Sequence, residues 1–231
     1  MRPFMLARRT VLALGLAAGL AGPALAQSEE QALVDKAKMS VEAFSRESDL
    51  GTMRHMLGRA KAVMVFPELI KGGFIIGGEG GSGLLMTRNA ATGAWSAPAF
   101  YTLAAGSIGL QIGGQVSQMM MLIMTDKGLE AVYKNQFKAG ADASIAAGPV
   151  GRGIEAAATS NLRDDIYAFS ITKGLFGGAS LEGAAINPRF SRNQAYHGQS
   201  SAQPRDIVTG AVPTSSGADG LRQALKALEL H

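Results

Sequence analysis

The 231-residue sequence contains no cysteine, which excludes disulfide stapling, thiolate catalysis, iron–sulfur ligation and cysteine-bound zinc together. Histidine is almost as scarce. His55, His197 and the terminal His231 are the only three, too few and too dispersed for a His-Glu-x-x-His helix or an imidazole cluster around zinc. Aromatic residues make up 6% of the chain, with Trp95 the single tryptophan, so platforms for stacking single-stranded nucleic acid are sparse. What is present is 47% hydrophobic residues and 30 glycines. A chain of this length and apolar content can bury a real core, which rules out disorder and collagen.

The formal charge of +4 suggests a polyanionic partner until the first segment is read. Arg2, Arg8 and Arg9 precede an apolar run from Val11 to Ala21, followed by Gly22, Pro23 and the small-residue site Ala24-Leu25-Ala26. This order is that of a cleavable export signal over residues 1–26, on the general secretory or the twin-arginine route. The apolar run is too short to span about 30 Å of hydrocarbon. Cleavage removes three of the 22 basic residues and none of the 18 acidic ones, leaving 19 against 18 on residues 27–231. Global basicity therefore vanishes, and any anion binding must come from a local patch rather than a nucleic-acid-type surface.

Along the mature chain, Leu33, Ala37, Val41 and Phe44 recur at helical spacing within Glu29 to Ser48. A second helix is expected from about Leu50 to Lys61, with Leu50, Met53, Met56, Leu57 and Ala60 on an arc of about 120° and Arg54 and Lys61 along one border. Short strand-like runs follow at Val63 to Phe66, Phe74 to Ile76, Leu84 to Thr87, Phe100 to Leu103 and Ile108 to Ile112. Their spacing favours antiparallel pairing over βαβ units. Ala99 to Thr125 carries no charge, but its glycines and glutamines break any lipid-facing helix, so buried strands are expected. A short helix from Asp126 to Asn135 and strands at Lys138 to Ala147, Asp165 to Thr172 and Ala179 to Ile186 come next. Asn187 to Gly217 reads as a long surface connection, and Leu221, Leu225 and Leu228 mark a terminal amphipathic helix. The expectation is one α+β domain: a glycine-rich, mostly antiparallel sheet, sandwich or barrel-like, packed with N-terminal and C-terminal amphipathic helices.

The catalytic motifs fail on context. Gly78-Glu79-Gly80-Gly81-Ser82-Gly83 has the letters of a dinucleotide fingerprint, but Leu84 to Thr87 continues as a strand where a helix N-terminus must face the pyrophosphate. No acidic residue lies between Gly80 and Thr125 to bind a ribose. Ser170-Ile171-Thr172-Lys173 matches Ser-x-x-Lys without its companion elements. The expectation is a protein without enzymatic activity or cofactor. Residues 50 to 75 are more informative, carrying Arg54, Arg59, Lys61 and Lys71 against Glu68 alone. Two readings of this stretch are open: a basic amphipathic helix on an anionic bilayer, each cation adding about 1 kcal/mol, or a helix packed on the sheet with its cations in water.

Ala60-Lys61-Ala62-Val63-Met64-Val65-Phe66-Pro67, Lys71-Gly72-Gly73-Phe74 and the glycines through Gly83 form a first block. Later blocks run from Trp95 to Phe100, from Gly109 to Gly113, from Tyr167 to Ser170 and from Lys173 to Gly183. Together these resemble the SYLF lipid-binding domain, also known as the Ysc84-type actin-binding domain, over nearly the whole mature chain. The resemblance implies binding of phosphoinositides and other anionic lipids, with actin filaments as a further partner of eukaryotic relatives. It favours a periplasmic, peripherally membrane-associated protein in which Arg54, Arg59, Lys61 and Lys71 meet head groups while Met53 and Leu57 enter the acyl boundary. An exported chain would not meet cytoplasmic actin. The alternative is an envelope structural or protein-interaction module using the same patch.

Overall fold

A computed structural model describes residues 28–148, 163–173, 183–213 and 216–229, with backbone alone at 73–76, 107–114 and 173. The export signal lies outside the described residues. Helix α1 spans Glu29–Arg46. Its start is set by Ser28, whose hydroxyl accepts from the Gln31 N–H at 3.1 Å, and by Glu29 and Glu30 in the first turn, where negative charge complements the helix dipole. Its apolar stripe, Leu33, Val34, Ala37, Val41 and Phe44, is buried. A single 3₁₀ turn at Ser48–Leu50 leads into α2, Gly51–Leu57.

The five short strands expected between Val63 and Ile112 are two long ones. Strand β1 runs Ala62–Thr87 and β2 runs Ala99–Ile123, paired antiparallel from Ala62 opposite Ile123 to Leu85 opposite Ala99. Pro67 does not end the strand, because the register shifts between Phe66 and Leu69. A bulge of this kind absorbs a residue that has no N–H to give to the ladder. A second shift falls between Gly73 and Ile75.

The hairpin then doubles back on itself. The Arg88 N–H donates to the Lys61 carbonyl at 2.8 Å, joining the far end of β1 to its beginning. Glycine permits the close approach in between. A Cβ at Gly83 would lie 2.7 Å from the Val65 carbonyl oxygen, and one at Gly81 3.0 Å from Leu69 Cδ2, with still nearer contacts to the Phe66 ring and the Glu68 carbonyl.

Helix α3, Asp126–Val132, is capped by Thr125, and the short strands β3, Phe137–Lys138, and β4, Ile145–Ala147, follow. Strands β5, Ile166–Lys173, and β6, Ala185–Pro188, pair with β2 antiparallel on its other side. They share one register: Val116 faces Lys173 and Ala104 faces Ala185, so the gap between the two ladders is equal on both sides. β3 adds to β6, and β4 adds to β5 in the one parallel pairing among the described strands. Counting the two halves of β1 and β2 separately, the result is a curled, mostly antiparallel half-barrel of eight strand passes, which is the α+β architecture the sequence implied.

Both faces of this sheet are covered, so alternate residues enter different cores. Val63, Val65, Phe100, Met120 and Leu122 pack beneath α1, α2 and the C-terminal helix; Met64, Phe66, Tyr101, Met119 and Met121 pack on the opposite face with residues of α3. The methionine run is core filling. The polar stretch after Asn187 is not a plain connection. It holds α4, Phe190–His197, and α5, Pro204–Val208, before the expected terminal helix α6, Asp219–Glu229. Gly198, at φ 65°, ends α4 in the left-handed region that favours glycine. Asn193 is fully buried and bonds Phe100 twice, accepting from its N–H at 2.7 Å and donating to its carbonyl at 3.3 Å.

Candidate functional site

The six cations and apolar residues singled out in the sequence do not form one surface. Met53 and Leu57 are both 0% exposed and belong to the core beneath α1. This corrects the reading of both as side chains that enter the acyl boundary: in the described fold the amphipathic face of α2 is spent on the sheet. Arg54 is likewise committed. One terminal guanidinium nitrogen donates to the Ser45 carbonyl at 3.2 Å and the Glu47 carbonyl at 2.7 Å, closing the C-terminal end of α1. Arg59 is exposed. Lys61 pairs with Asp126 at 2.9 Å, with side chains 43% and 82% exposed, an arrangement that solvent reduces to about 0–1 kcal/mol.

Lys71 sits elsewhere. Lys61 adjoins the start of β1 and Lys71 lies where the strand turns back, ten residue steps away or roughly 30 Å at about 3.3 Å per residue. The sequence cluster is therefore divided between two ends of the sheet.

At the Lys71 end, Ile70 faces Val116 across the ladder. Ile70 is 56% and Val116 43% exposed, although both are branched apolar residues in a sheet whose other described apolar positions are largely covered. Lys71 follows on the same turn-back, opposite Gln115. A shallow hollow of about 380 Å³ beside Ile70 is edged by Lys36, Glu68 and Arg192, with Lys36 bonded to Glu68 at 3.1 Å. Sequence reading missed the apolar pair, because its two members are 46 positions apart and meet only through the bulged register.

At the Lys61 end lies a larger groove of about 560 Å³, walled by the loop 88–97, α3, the end of α5 and Arg222 of α6. Lys61, Arg88, Arg222 and Trp95 border it. Arg88 engages Glu229 through Nε at 3.1 Å. Tyr133, also at the groove, has its hydroxyl pKa pushed up to about 12 by burial, with Arg205 stacked over the ring at 4.8 Å opposing the shift.

Other titratable groups serve the fold. Asp165 accepts from Thr125 Oγ1 at 2.6 Å, Lys127 Nζ at 2.9 Å, and the Ser144 N–H and hydroxyl at 3.0 and 3.1 Å. Burial alone would raise its pKa, but these donors hold it down at about 2. The cluster fastens α3 to β4 and β5. Burial lowers the His197 pKa, partly opposed by its contact with the Pro98 carbonyl at 3.0 Å. Among the described residues no three acidic, histidine or cysteine side chains gather to hold a metal, and no helix is long and apolar enough to cross a membrane.

Residues 104–228 match the family described as Ysc84, "Las17-binding protein actin regulator". The chain is 31% identical over 172 residues to SH3 domain-containing YSC84-like protein 1 of Rattus norvegicus, covering 74% of this chain and 50% of the relative. It is 30% identical over 175 residues to Protein YSC84 of Saccharomyces cerevisiae, covering 74% and 37%, and 30% identical over 174 residues to LAS seventeen-binding protein 3 of the same species, again covering 74% and 37%. The chain thus spans half or less of the length of these relatives, and the family's description and the name of the third relative speak of binding and regulation. The strands and helices from β2 to α6 are those of a SYLF domain, and the chain belongs to the Ysc84 family.

Proposed function

We propose that this chain is a non-enzymatic lipid-binding protein of a bacterial envelope, exported by its N-terminal signal and attached peripherally to anionic phospholipid. One observation carries the reading: the exposed pair Ile70 and Val116 at the end of the sheet where the hairpin turns back, with Lys71 next along the strand and so on the opposite face. Two branched apolar side chains at a sheet end, with a long cationic side chain at the same end on the other face, are the elements of an interfacial anchor, the apolar pair entering the acyl boundary and the ammonium reaching out to phosphate. The anchor replaces α2 in that role, since Met53 and Leu57 are buried and Arg54 is occupied. Arg59 and Lys61, at the far end, add positive charge without sharing the same contact plane.

The actin regulation in the family's description belongs to relatives at least twice as long as the aligned region, and an exported chain is separated from actin. The test is flotation of residues 27–231 with phosphatidylglycerol and with phosphatidylcholine vesicles at low and high salt. Greater capture by the anionic vesicles, weakened by salt and by Lys71→Glu, is the expected result. Equal capture by both vesicle types overturns the lipid reading and leaves the apolar pair as a protein-contact surface.

A further inference from the structure

We propose that Met39 of α1 is an oxidation site, and that converting its thioether to the sulfoxide weakens attachment at the Ile70 and Val116 end of the sheet. The inference rests on the membrane reading of that end and adds a control to it.

The chain holds no cysteine, so methionine is its only sulfur. Of the 11 methionines, Met1 and Met5 fall in the export signal, which leaves nine on residues 27–231. Seven of these, from Met53 to Met121, are no more than 1% exposed. Met124 is half-buried against the core beneath α1. Met39 is 58% exposed. A dissolved oxidant must reach the sulfur to react with it, so the fold offers one methionine and shields the rest.

The position of Met39 gives its oxidation a consequence. Ala32, Lys36 and Met39 stand at i, i+4 and i+7, which puts them on one face of α1. Ala32 and Lys36 line the hollow beside Ile70, and Lys36 bonds at 3.1 Å to Glu68, two residues before Ile70. Met39 lies one turn further along that face. Ile70 in turn faces Val116 across the ladder. The exposed large apolar side chains among the described residues, Met39, Ile70 and Val116, are therefore on the same side of the sheet, although they come from three separate stretches of chain. Their chemistry differs. Ile70 and Val116 are stiff and inert, whereas the flexible thioether of Met39 fits an irregular apolar contact and can be switched.

Hydrogen peroxide supplies the switch. One of its oxygens passes to the Met39 sulfur: the O–O bond breaks, the S–O bond forms, the thioether is oxidised and the peroxide is reduced to water. The sulfoxide oxygen accepts hydrogen bonds strongly, and an apolar boundary gives it no donor. Because the sulfur is on the surface, the change falls on the contact and leaves the core as it was.

The experiment treats residues 27–231 with hydrogen peroxide, locates the sulfoxide by peptide mass spectrometry and measures partition onto phosphatidylglycerol vesicles. The expected result is one added oxygen per chain, on Met39, with an unchanged circular dichroism melt and a partition coefficient about fivefold lower. Methionine sulfoxide reductases acting on both epimers restore the original value. Met39→Gln lowers partition without peroxide, and Met39→Leu abolishes the peroxide response. Oxidation spread evenly over the methionines, or a peroxide response that survives Met39→Leu, overturns the proposal. An untreated chain that anionic vesicles capture no better than neutral ones overturns the membrane reading itself. A chain oxidised at Met39 that partitions as well as the untreated one overturns the switch alone and leaves the Ile70 and Val116 anchor standing.

Discussion

The Ile70 and Val116 anchor makes a quantitative claim that separates it from ordinary surface electrostatics. Full burial of an Ile or Val side chain is worth about 1.5–3 kcal/mol. With 56% and 43% of the two residues still exposed, roughly half of that is available at each when the pair enters an interface. Threonine keeps the branched shape that suits a strand but puts a hydroxyl in place of the ethyl group of Ile70 and of one methyl of Val116. Ile70→Thr/Val116→Thr should therefore cost about 2 kcal/mol of membrane affinity, a fall of roughly 30-fold in the vesicle partition coefficient. Neither substitution touches the core, so the thermal midpoint should move by no more than about 2 °C.

Salt distinguishes the two contributions. The loss from the threonine pair should persist at about 0.5 M salt, because apolar transfer is not screened, while the loss from Lys71→Gln should largely disappear. The assay is partition onto phosphatidylglycerol vesicles by sedimentation over a range of lipid concentrations. A double variant that remains folded and partitions within twofold of the wild type would refute the anchor.

The remaining predictions concern the fold that presents these surfaces. Leu57→Ala should destabilise the protein by about 2–5 kcal/mol in urea unfolding, since Leu57 is fully buried; a cost below about 0.5 kcal/mol would return α2 to the surface. Gly83→Ala should be destabilising by about 1–3 kcal/mol, because its Cβ meets the Val65 carbonyl and the Phe66 ring, whereas Gly72→Ala, with nothing within 4 Å, should be near neutral by thermal melting. Asp165, with its carboxyl held at about 2 against an unfolded value near 4, contributes roughly 2 kcal/mol that is fully present above about pH 4 and is lost as pH falls towards 2. Asp165→Asn should remove most of that pH dependence between pH 5 and 2 in urea titrations, and an unchanged slope would assign the acid sensitivity to other carboxylates.

What the sequence disclosed followed from periodicity sustained over enough residues. Helices α1 and α6 were legible because apolar residues recur over 18 and 11 positions, long enough for a 3.6-residue period to stand out. Helices α4 and α5, at 8 and 5 residues, are too short for that, and Asn193 looks like a loop residue until Phe100 is seen on both of its amide atoms. The long strands read as fragments in the sequence because Pro67 and the glycines normally end strands. Here a bulge accommodates the proline, and the glycines mark where β1 lies against itself.

The candidate site illustrates a different limit. An amphipathic arc specifies that one face of α2 is covered, and says nothing of what covers it; a sheet and a bilayer satisfy the same pattern. Charge density along the chain has the same weakness in a strand, where ten residues separate Lys61 from Lys71 by roughly 30 Å instead of gathering them as a helix would. Once Met53 and Leu57 are assigned to the core, the apolar part of any membrane contact has to come from positions that the described fold leaves uncovered, Met39 of α1 among them. Ile70 and Val116 are such positions, and their alignment depends on the bulge at Pro67. Without that register shift, Ile70 would face a different residue of β2. A proline that seemed to end a strand is thus part of what brings the two halves of the anchor together.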